Sequence, residues 1–221
     1  MDELKNAFYY FGESIKIGQN LTLDDPSKIY IGNNVKLRQN VCLSLSKRGN
    51  QNQDLRIKLE DRVYVGMGTI IESYNQVIIE DDCLIGPRVF ISDSQHEYSN
   101  PNLPIANQGI KSIVNRLIVK RGAWIGANVT LIGDISIGNG SVIGANSVVT
   151  MSVPSHCVIY GNPASVLKIY HYKKREWVQP HSDEEILEIL QQRGNFEGYN
   201  DDYILASLKK ELEKIKNSSI L

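Results

Sequence analysis

One histidine stands in the polar stretch "DSQHEYSNPNLPI", residues 93–105, which interrupts an otherwise regular sequence. An imidazole side chain titrates near neutral pH, so it can take a proton from a hydroxyl or an amine. A general base of this kind contributes roughly 10²–10⁴-fold to a reaction rate. His96 is therefore a candidate base, although a surface loop histidine with no role would produce the same pattern.

Two acidic residues, Asp93 and Glu97, flank this histidine. A histidine that acts as a base needs its ring held in one tautomer, usually by a hydrogen bond to the other ring nitrogen. Either carboxylate could supply that bond, and a backbone carbonyl group could serve as well. Glu97 is also compatible with a solvated carboxylate that has no role in chemistry.

The sequence around the loop repeats with a period of six residues. Its clearest part is a run of aliphatic residues at Val119, Ile125, Leu131, Ile137, Ile143 and Val149. A period of six fits neither a helix nor simple alternation, and it suits short strands joined by tight turns. One such unit cannot bury its own apolar face, so stacked units must share a core. An ordinary β-sandwich would not hold this phase over six consecutive units.

The same pattern occurs earlier in the chain, for example at Ile17, Ile31, Val65 and Ile85. Glycine, asparagine and aspartate follow many of the aliphatic residues and tolerate the positive φ of tight turns. Two insertions break the period, at residues 45–58 and 92–117. The sequence "SKRGNQNQDLR", residues 46–56, either faces a ligand or is a solvated loop.

Composition limits the classes of protein that fit this chain. The 221 residues carry 24 basic and 25 acidic side chains, so no general attraction to nucleic acid or anionic membranes is expected. Neither a transmembrane helix nor a signal peptide is expected. Cys42, Cys83 and Cys157 are odd in number and far apart, and we interpret them as small buried thiols of a cytoplasmic protein.

The C-terminal part has a helical pattern. Ser182 is a predicted N-cap with Glu185 as its capping-box partner, and apolar residues follow at helical spacing. A second amphipathic helix is predicted over residues 201–216. We therefore divide the chain into a repeat domain, residues 1–165, with a loop insertion at about 92–117, and a helical extension, residues 166–221.

Over residues 15–165 the repeat resembles that of the hexapeptide-repeat family of acyltransferases. The resemblance implies a mainly β fold, a left-handed parallel β-helix with a protruding loop and C-terminal α-helices. It also implies an acyl-CoA or acyl-ACP donor and a homotrimer with its active sites between subunits.

Within that family, the loop resembles the loop of sugar, polysaccharide and xenobiotic O-acetyltransferases. The matching residues are Asp93, His96, Tyr98, Pro101, Pro104 and Ile105. The resemblance implies that His96 is the catalytic base. Many relatives carry a second histidine two residues earlier, where this chain has Ser94, so a helper role at that position is in doubt.

The resemblance also points to residues that would bind CoA. Trp124, in "AWIGANV", matches a tryptophan near the thioester end of CoA. The other matches are Gly126, Ala127, Gly144, Ala145, Thr150, Pro163 and Lys168. Coil geometry explains the glycines equally well, and subunit packing would explain Trp124. Ser165 replaces the Lys or Arg of relatives, so one contact to the nucleotide phosphates is in doubt.

These features predict an acetyl-CoA-dependent O-acetyltransferase that acts on a sugar or polysaccharide hydroxyl, without a metal ion. Its nearest rivals are an N-acetyltransferase for a nucleotide-linked amino sugar and a drug acetyltransferase. Proteins of two different classes, a non-catalytic trimeric scaffold and a β-helix of the carbonic-anhydrase type, could carry a similar repeat. The carbonic-anhydrase type would need about three histidines on zinc, and His156, His171 and His181 lie far from His96 in the sequence.

Overall fold

The structure is a computed structural model that describes residues 2–111 and 115–193, together with Ala206 and Lys209. Short β-strands enter a first, a second and a third sheet in turn, so three strands complete one triangular coil. The strands of successive coils pair in parallel. This mainly β, stacked architecture is the one predicted from the repeat.

The strands, numbered along the chain, recur in each sheet once per coil. The first sheet contains β1 (Tyr10–Phe11), β4 (Ile29–Ile31), β7 (Ile57–Leu59), β10 (Gln76–Ile79), β13 (Arg116–Val119) and β16 (Ile135–Ile137). The second begins with β2 (Lys16–Ile17), β5 (Lys36–Leu37), β8 (Tyr64–Val65), β11 (Leu84–Ile85), β14 (Trp124–Ile125) and β17 (Val142–Ile143). The third contains β3 (Thr22–Leu23), β6 (Cys42–Leu45), β9 (Ile70–Ser73), β12 (Phe90–Ser92), β15 (Thr130–Ile132) and β18 (Val148–Val149).

The aliphatic residues of the repeat point into the core, as predicted. Each of the six from Val119 to Val149 is at most 1% exposed. Burying such a side chain contributes roughly 1.5–3 kcal/mol to folding relative to leaving it exposed. Since every coil adds residues of this kind, the coils stabilise one another through one continuous core.

Tight turns join the second sheet to the third, and we call this edge the turn corner. Asparagines at these turns have left-handed backbone conformations, with φ of 58° at Asn20 and Asn40 and 57° at Asn128. Their side chains also hydrogen-bond from coil to coil, as Asn20 does to Asn40 over 3.0 Å. The prediction that asparagine occupies positive-φ turns is confirmed.

The edge that joins the third sheet to the first is irregular, and we call it the loop corner. Its described segments are residues 24–28, 46–56, 74–75, 93–111 and 133–134. Both insertions predicted from the sequence therefore lie at the same corner. The longer one contains the short helix α2 (Ile105–Gln108), and a further short helix, α1 (Asp2–Ala7), precedes the first coil.

The C-terminal part differs from the sequence-based division at residue 165. β19 (Cys157–Gly161) extends the second sheet, and β20 (Ala164–His171) and β21 (Glu176–Val178) continue it in antiparallel pairing. The domain boundary at 165 therefore falls inside β20, and the first described segment after it is a strand hairpin rather than a helix. An antiparallel hairpin does not follow the six-residue phase, so the repeat gave no signal for it.

Helix α3 (Asp183–Gln192) follows the hairpin. Its predicted N-cap is confirmed, since the Ser182 side chain accepts a hydrogen bond from Glu185 N over 3.2 Å. The Glu185 carboxylate accepts from His181 N over 2.7 Å, and Ile189 and Leu190 are buried. The second predicted helix, 201–216, lies outside the described residues except at Ala206 and Lys209.

Two further sequence expectations concern the cysteines and the membrane. All three cysteines are free, and Cys83 and Cys157 are buried, whereas Cys42 is half-buried on the outer face of the third sheet. Among the residues that the structure describes, no helix has the length and apolar composition needed to cross a lipid bilayer.

Candidate functional site

His96 is exposed on the loop that leaves the third sheet at the end of β12. It forms an antiparallel bridge with Ile110, and its Nδ1 atom lies 3.3 Å from the carbonyl oxygen of Gly109. A carbonyl group can only accept a hydrogen bond, so this contact favours the tautomer that carries its proton on Nδ1. The lone pair is then on Nε2, which makes no hydrogen bond within the part of the chain that the structure describes.

The loop that carries His96 is held by its own side chains. Gln108 donates to the carbonyl oxygens of Asn100 and Leu103 over 2.8 Å each and accepts from Asn100 N over 3.0 Å. The Glu97 backbone N–H donates to Gly109 O over 3.1 Å. These bonds fold residues 96–109 of the insertion into a defined arm.

Asp93 does not hydrogen-bond to His96 in the structure. It is fully buried, and its carboxylate accepts from the backbone N–H groups of Tyr74, Asn75 and Gln76 over 2.7, 2.8 and 2.7 Å. Burial raises the pKa of the Asp93 carboxyl, and the three N–H groups oppose that rise. The expectation that Asp93 orients the histidine is therefore corrected: its oxygens fix the turn of the preceding coil.

Glu97 is also engaged elsewhere. Its carboxylate accepts from Tyr98 N and Ser99 N over 2.8 and 2.9 Å, closing a turn of its own loop. The Ser99 and Tyr98 N–H groups lower the pKa of the Glu97 carboxyl. Of the three partners that the sequence left open for His96, the structure therefore shows the backbone carbonyl, and Glu97 shapes the loop beside it.

Glu72 is a residue that the sequence analysis missed. It points outward at the end of β9, directly beside Ser92, whose Oγ lies 3.5 Å from a Glu72 carboxylate oxygen. Burial raises the pKa of the half-buried Glu72 carboxyl, and the His96 imidazole is close enough to oppose that rise. The signal was present as a spacing, because Glu72 lies one coil of 20 residues before Ser92.

Two of the residues predicted to bind CoA, Trp124 and Lys168, lie on the second sheet. Trp124 is 51% exposed, and the strand register places it in one row with Val142, Val158 and Lys168 on neighbouring strands. Neighbouring strands are about 4.8 Å apart, so Trp124 and Lys168 are roughly 14 Å apart along this row. We call the four residues the donor row.

Small residues lie beside the donor row at the turn corner. Ala127 and Ala145 occupy equivalent turns of adjacent coils, and Ala145 is exposed. A Cβ atom on Gly126 would lie 2.7 Å from Ala145 N, and one on Gly144 would lie 3.0 Å from Tyr160 Cβ. Close stacking of coils therefore accounts for both glycines, which leaves the two alanines as the more informative candidates.

Two further predicted residues lie near the end of the coils. Thr150 is exposed directly after β18, where the third sheet ends, so it shares the loop-corner side with His96 rather than the turn corner. Pro163 is exposed in the tight connection between β19 and β20. The structure therefore brings Trp124, Ala127, Ala145 and Lys168 to one face and edge, but not Thr150.

His96 and the donor row are separated within one chain. The third sheet lies between the turn corner at Ala127 and the loop corner at Gly133. Six residues of largely extended chain span roughly 15–20 Å. His96 and Trp124 of one chain are therefore too far apart for atoms bound at the two residues to react with each other. A second copy of the chain could supply one of the two residues at a shorter distance.

The other histidines are placed apart from His96. His156 Nδ1 lies 3.0 Å from the Tyr172 hydroxyl, and the buried His171 is on β20. Within residues 2–111 and 115–193, no group of three or more His, Cys, Asp or Glu side chains could hold a metal ion.

Two family models match the coils. The model described as bacterial transferase hexapeptide (six repeats) matches residues 117–150, and that described as hexapeptide repeat of succinyl-transferase matches residues 76–92. The resemblance predicted from the sequence is confirmed.

Named relatives match part of the chain. The chain is 37% identical over 128 residues to WbbJ of Escherichia coli K12, named as a lipopolysaccharide biosynthesis O-acetyl transferase; the match covers 55% of this chain and 64% of WbbJ. It is 47% identical over 51 residues to the dTDP-3-amino-3,6-dideoxy-alpha-D-galactopyranose 3-N-acetyltransferase of Aneurinibacillus thermoaerophilus, covering 23% of this chain and 27% of that protein. The chain thus spans less than two thirds of either relative.

The fold is similar to that of a solved structure. A variant of AntD, an N-acyltransferase from Bacillus cereus in complex with dTDP and coenzyme A, matches with a TM-score of 0.65 and 20% identity. The match covers 88% of this chain and 97% of AntD. The architecture is therefore that of a left-handed parallel β-helix.

Proposed function

We propose that this chain, a hexapeptide-repeat protein with a left-handed β-helix fold, transfers the acetyl group of acetyl-CoA to a hydroxyl group of a sugar or polysaccharide. The observation that carries the proposal is the contact between His96 Nδ1 and the Gly109 carbonyl oxygen. It leaves a basic Nε2 atom on an exposed loop beside polar strand ends. The name of WbbJ supports a sugar-containing acceptor and an oxygen nucleophile.

The proposed reaction is a direct transfer. His96 Nε2 removes the proton from the acceptor hydroxyl while the hydroxyl oxygen attacks the thioester carbonyl carbon. The resulting tetrahedral oxyanion needs a hydrogen-bond donor, for which a backbone N–H group is suited. The carbon–sulfur bond then breaks, and the CoA thiolate takes the proton from the imidazolium. No acyl-enzyme forms, and no cysteine takes part.

The donor row provides a surface of matching length for acetyl-CoA. In the proposal, Trp124 contacts the thioester end and Lys168 the phosphates of the nucleotide, with Val142 and Val158 between them. Ala127 and Ala145, with Gly126 and Gly144, leave room for the pantetheine arm. Pro163 completes the candidate set, and Thr150, which lies on the loop-corner side, is left out of it. The coenzyme A bound in the AntD structure supports this cofactor.

We propose a homotrimer with its clefts between subunits. The distance between His96 and the donor row within one chain supports this arrangement, because the face of one copy can then meet the loop corner of the next. We also place the reaction in the cytoplasm, which the three free cysteines support.

N-acetylation of a nucleotide-linked amino sugar is the second candidate. It is favoured by the 47% identity to a 3-N-acetyltransferase and by the fold shared with AntD. The same base would serve an amine, so the acceptor rather than the donor distinguishes the two reactions.

A thioester-cleavage assay tests the proposal. Wild-type protein, His96→Ala and the matched control His181→Ala are given acetyl-CoA with sugars, oligosaccharides and nucleotide-linked amino sugars. We expect acceptor-dependent release of CoA that is lost in His96→Ala and kept in His181→Ala. Turnover only with amino sugars would show that the reaction is N-acetylation rather than O-acetylation. No turnover and no binding of acetyl-CoA would overturn the enzymatic function.

A further inference from the structure

A cavity that the proposed reaction does not use lies at the loop corner, N-terminal to His96. Its volume is about 580 Å³, and it is lined by Asp24, Asp25, Lys28, Ser44, Leu45, Ser46, Lys47, Gln51 and Arg56. Most of the lining comes from the insertion at 46–56 and from the segment at 24–28 of the coil before it. The insertion thus has a defined place at the corner that carries His96.

A row of polar side chains connects this cavity to His96. Ser44, Glu72 and Ser92 occupy equivalent outward positions at the ends of adjacent strands of the third sheet. Asp24 extends the row by one coil, since its carboxylate accepts from Ser44 Oγ over 2.8 Å. We call these four residues the outer row. Ser44, which lines the cavity, lies two strands before Ser92 in the third sheet. At about 4.8 Å per strand, the cavity is therefore roughly 10 Å from the His96 end of the row along the coil axis.

The walls of the cavity are fixed before any ligand binds. Arg56 is 1% exposed, and its guanidinium donates to Ser46 O over 3.1 Å and to Ser73 O. Lys28 Nζ donates to the carbonyl oxygens of Gln51 and Gln53 over 2.8 and 3.2 Å. The insertion is therefore tied both to the preceding coil and to the following one.

The insertion also hydrogen-bonds to the turn that holds the start of the His96 loop. Asn50 N donates to Tyr74 O over 2.6 Å, and Asn50 Nδ2 donates to Asn75 Oδ1 over 2.9 Å. Tyr74 and Asn75 belong to the turn that the buried Asp93 carboxylate holds from the other side. The cavity and the base are thus fixed to one shared turn.

The charges of the cavity suit a polyhydroxylated ligand. Three cationic and two acidic side chains line it, so neither sign dominates. The Nε atom of the buried Arg56 has no hydrogen-bond partner among the described residues. Lys47 is exposed at the cavity and has no ion pair within the described part of the chain. Carboxylate, hydroxyl, amide and ammonium groups together can both accept from and donate to sugar hydroxyls.

We infer that Asp24, Ser44 and Glu72 of the outer row, together with this cavity, bind an extended carbohydrate acceptor of at least two sugar units, an inference that rests on the proposed acetyl transfer. One unit presents its hydroxyl to His96 above Glu72, and a second occupies the cavity, where Lys47 contacts it. The distance of two coils corresponds to the length of a short oligosaccharide. The insertion at 46–56 is then a specificity element for acceptor length.

The test compares acceptors that differ only in length. Wild-type protein, Lys47→Ala and the control Arg48→Ala are assayed with a monosaccharide and with the tri- or tetrasaccharide of the same sugar. Arg48 belongs to the same exposed loop but does not line the cavity, so its substitution makes the same change of charge outside the proposed site. We expect wild type to prefer the oligosaccharide in kcat/KM, and Lys47→Ala to raise the KM for it by about tenfold.

A second variant keeps the test independent of one charged contact. Ser44→Phe fills the outer row between Glu72 and the cavity, and a melting curve checks that it folds. The ratio of kcat/KM for the oligosaccharide to kcat/KM for the monosaccharide should then fall toward one, while the KM for acetyl-CoA stays unchanged. Equal use of both acceptors by wild type, or equal behaviour of Lys47→Ala and Arg48→Ala, would overturn the inference while leaving acetyl transfer intact. Absence of any turnover and of acetyl-CoA binding would overturn both this inference and the proposed acetyl transfer.

Discussion

The two edges of the third sheet show opposite uses of the same repeat. At the turn corner, short turns with asparagine at positive φ stack from coil to coil, and the adjacent donor row is largely apolar. At the loop corner, two insertions, a buried aspartate and a buried arginine replace these turns. The regular edge offers a smooth surface for a long ligand, whereas the irregular edge places groups that can do chemistry.

This contrast accounts for two of the buried charged side chains. Asp93 and Arg56 both lie below 2% exposure at the loop corner, on opposite sides of the turn at 73–76. Asp93 accepts from the N–H groups of that turn, and Arg56 donates to its Ser73 carbonyl. Long loops cost conformational entropy, and these bonds offset that cost by fixing the loops to the coils.

The largest effect that would sharpen the contrast is expected at the loop corner. His96→Ala should reduce kcat by roughly 10²–10⁴-fold because the acceptor proton loses its base. Acetyl-CoA should still bind, since the donor row is on another face. Single-turnover kinetics and calorimetry with acetyl-CoA measure the two properties separately. A variant that fails to bind acetyl-CoA would contradict the separation of the two regions.

The second effect concerns stability. Asp93→Ala leaves three backbone N–H groups without their acceptor and removes a negative charge near Arg56, which should cost about 2–4 kcal/mol of unfolding free energy. Glu97→Ala, which removes a carboxylate from the exposed loop, should cost much less. Urea denaturation of both variants compares them. Similar losses for the two would show that Asp93 has no special structural role.

A third, smaller effect belongs to the donor row. Trp124→Ala removes a large exposed ring from the surface proposed for the thioester end, so the KM for acetyl-CoA should rise by about tenfold with little change in melting temperature. Tyr9→Ala, which removes another half-exposed ring before the first coil, serves as the control. A matching rise in KM for both variants would point to a general loss of packing instead.

The smallest effect is a pH dependence of stability at Glu72. Burial raises the pKa of its carboxyl in the native state. Because the native pKa is raised, the Glu72 carboxyl contributes fully to folding stability at a pH below its pKa in the unfolded chain. That contribution is lost as the pH rises through its pKa in the native protein. Glu72→Gln should therefore gain melting temperature relative to wild type as the pH rises from about 4 to about 7. The exposed Glu13→Gln is the control, and an equal shift in both would contradict this account.

Local sequence patterns predicted the coils well because each coil repeats the same physical requirement. Residues such as Ile125 and Leu131 must be apolar to fill the core, and Asn128 must tolerate positive φ. Helix α3 was equally predictable, since the Ser182 cap and the buried Ile189 follow from local rules.

Contacts between distant segments were not predictable in the same way. Asp93 is close to His96 in sequence, yet its oxygens bond to N–H groups 17 to 19 residues earlier. Glu72 reaches the site only because a coil places it beside Ser92, a spacing of 20 residues that has meaning only once the length of this coil is known. The hairpin of β19 and β20 lacks the six-residue phase altogether.

The central claim is that the loop corner of one copy and the donor row of another form one site. Mixing His96→Ala and Trp124→Ala subunits during refolding tests it, because random assortment gives about one quarter of clefts with both residues intact. With acetyl-CoA well below its KM, where Trp124→Ala is also impaired, the account predicts that the mixture has more activity than the average of the two separate variants. Activity equal to that average would contradict a shared site and would place the whole reaction within a single chain.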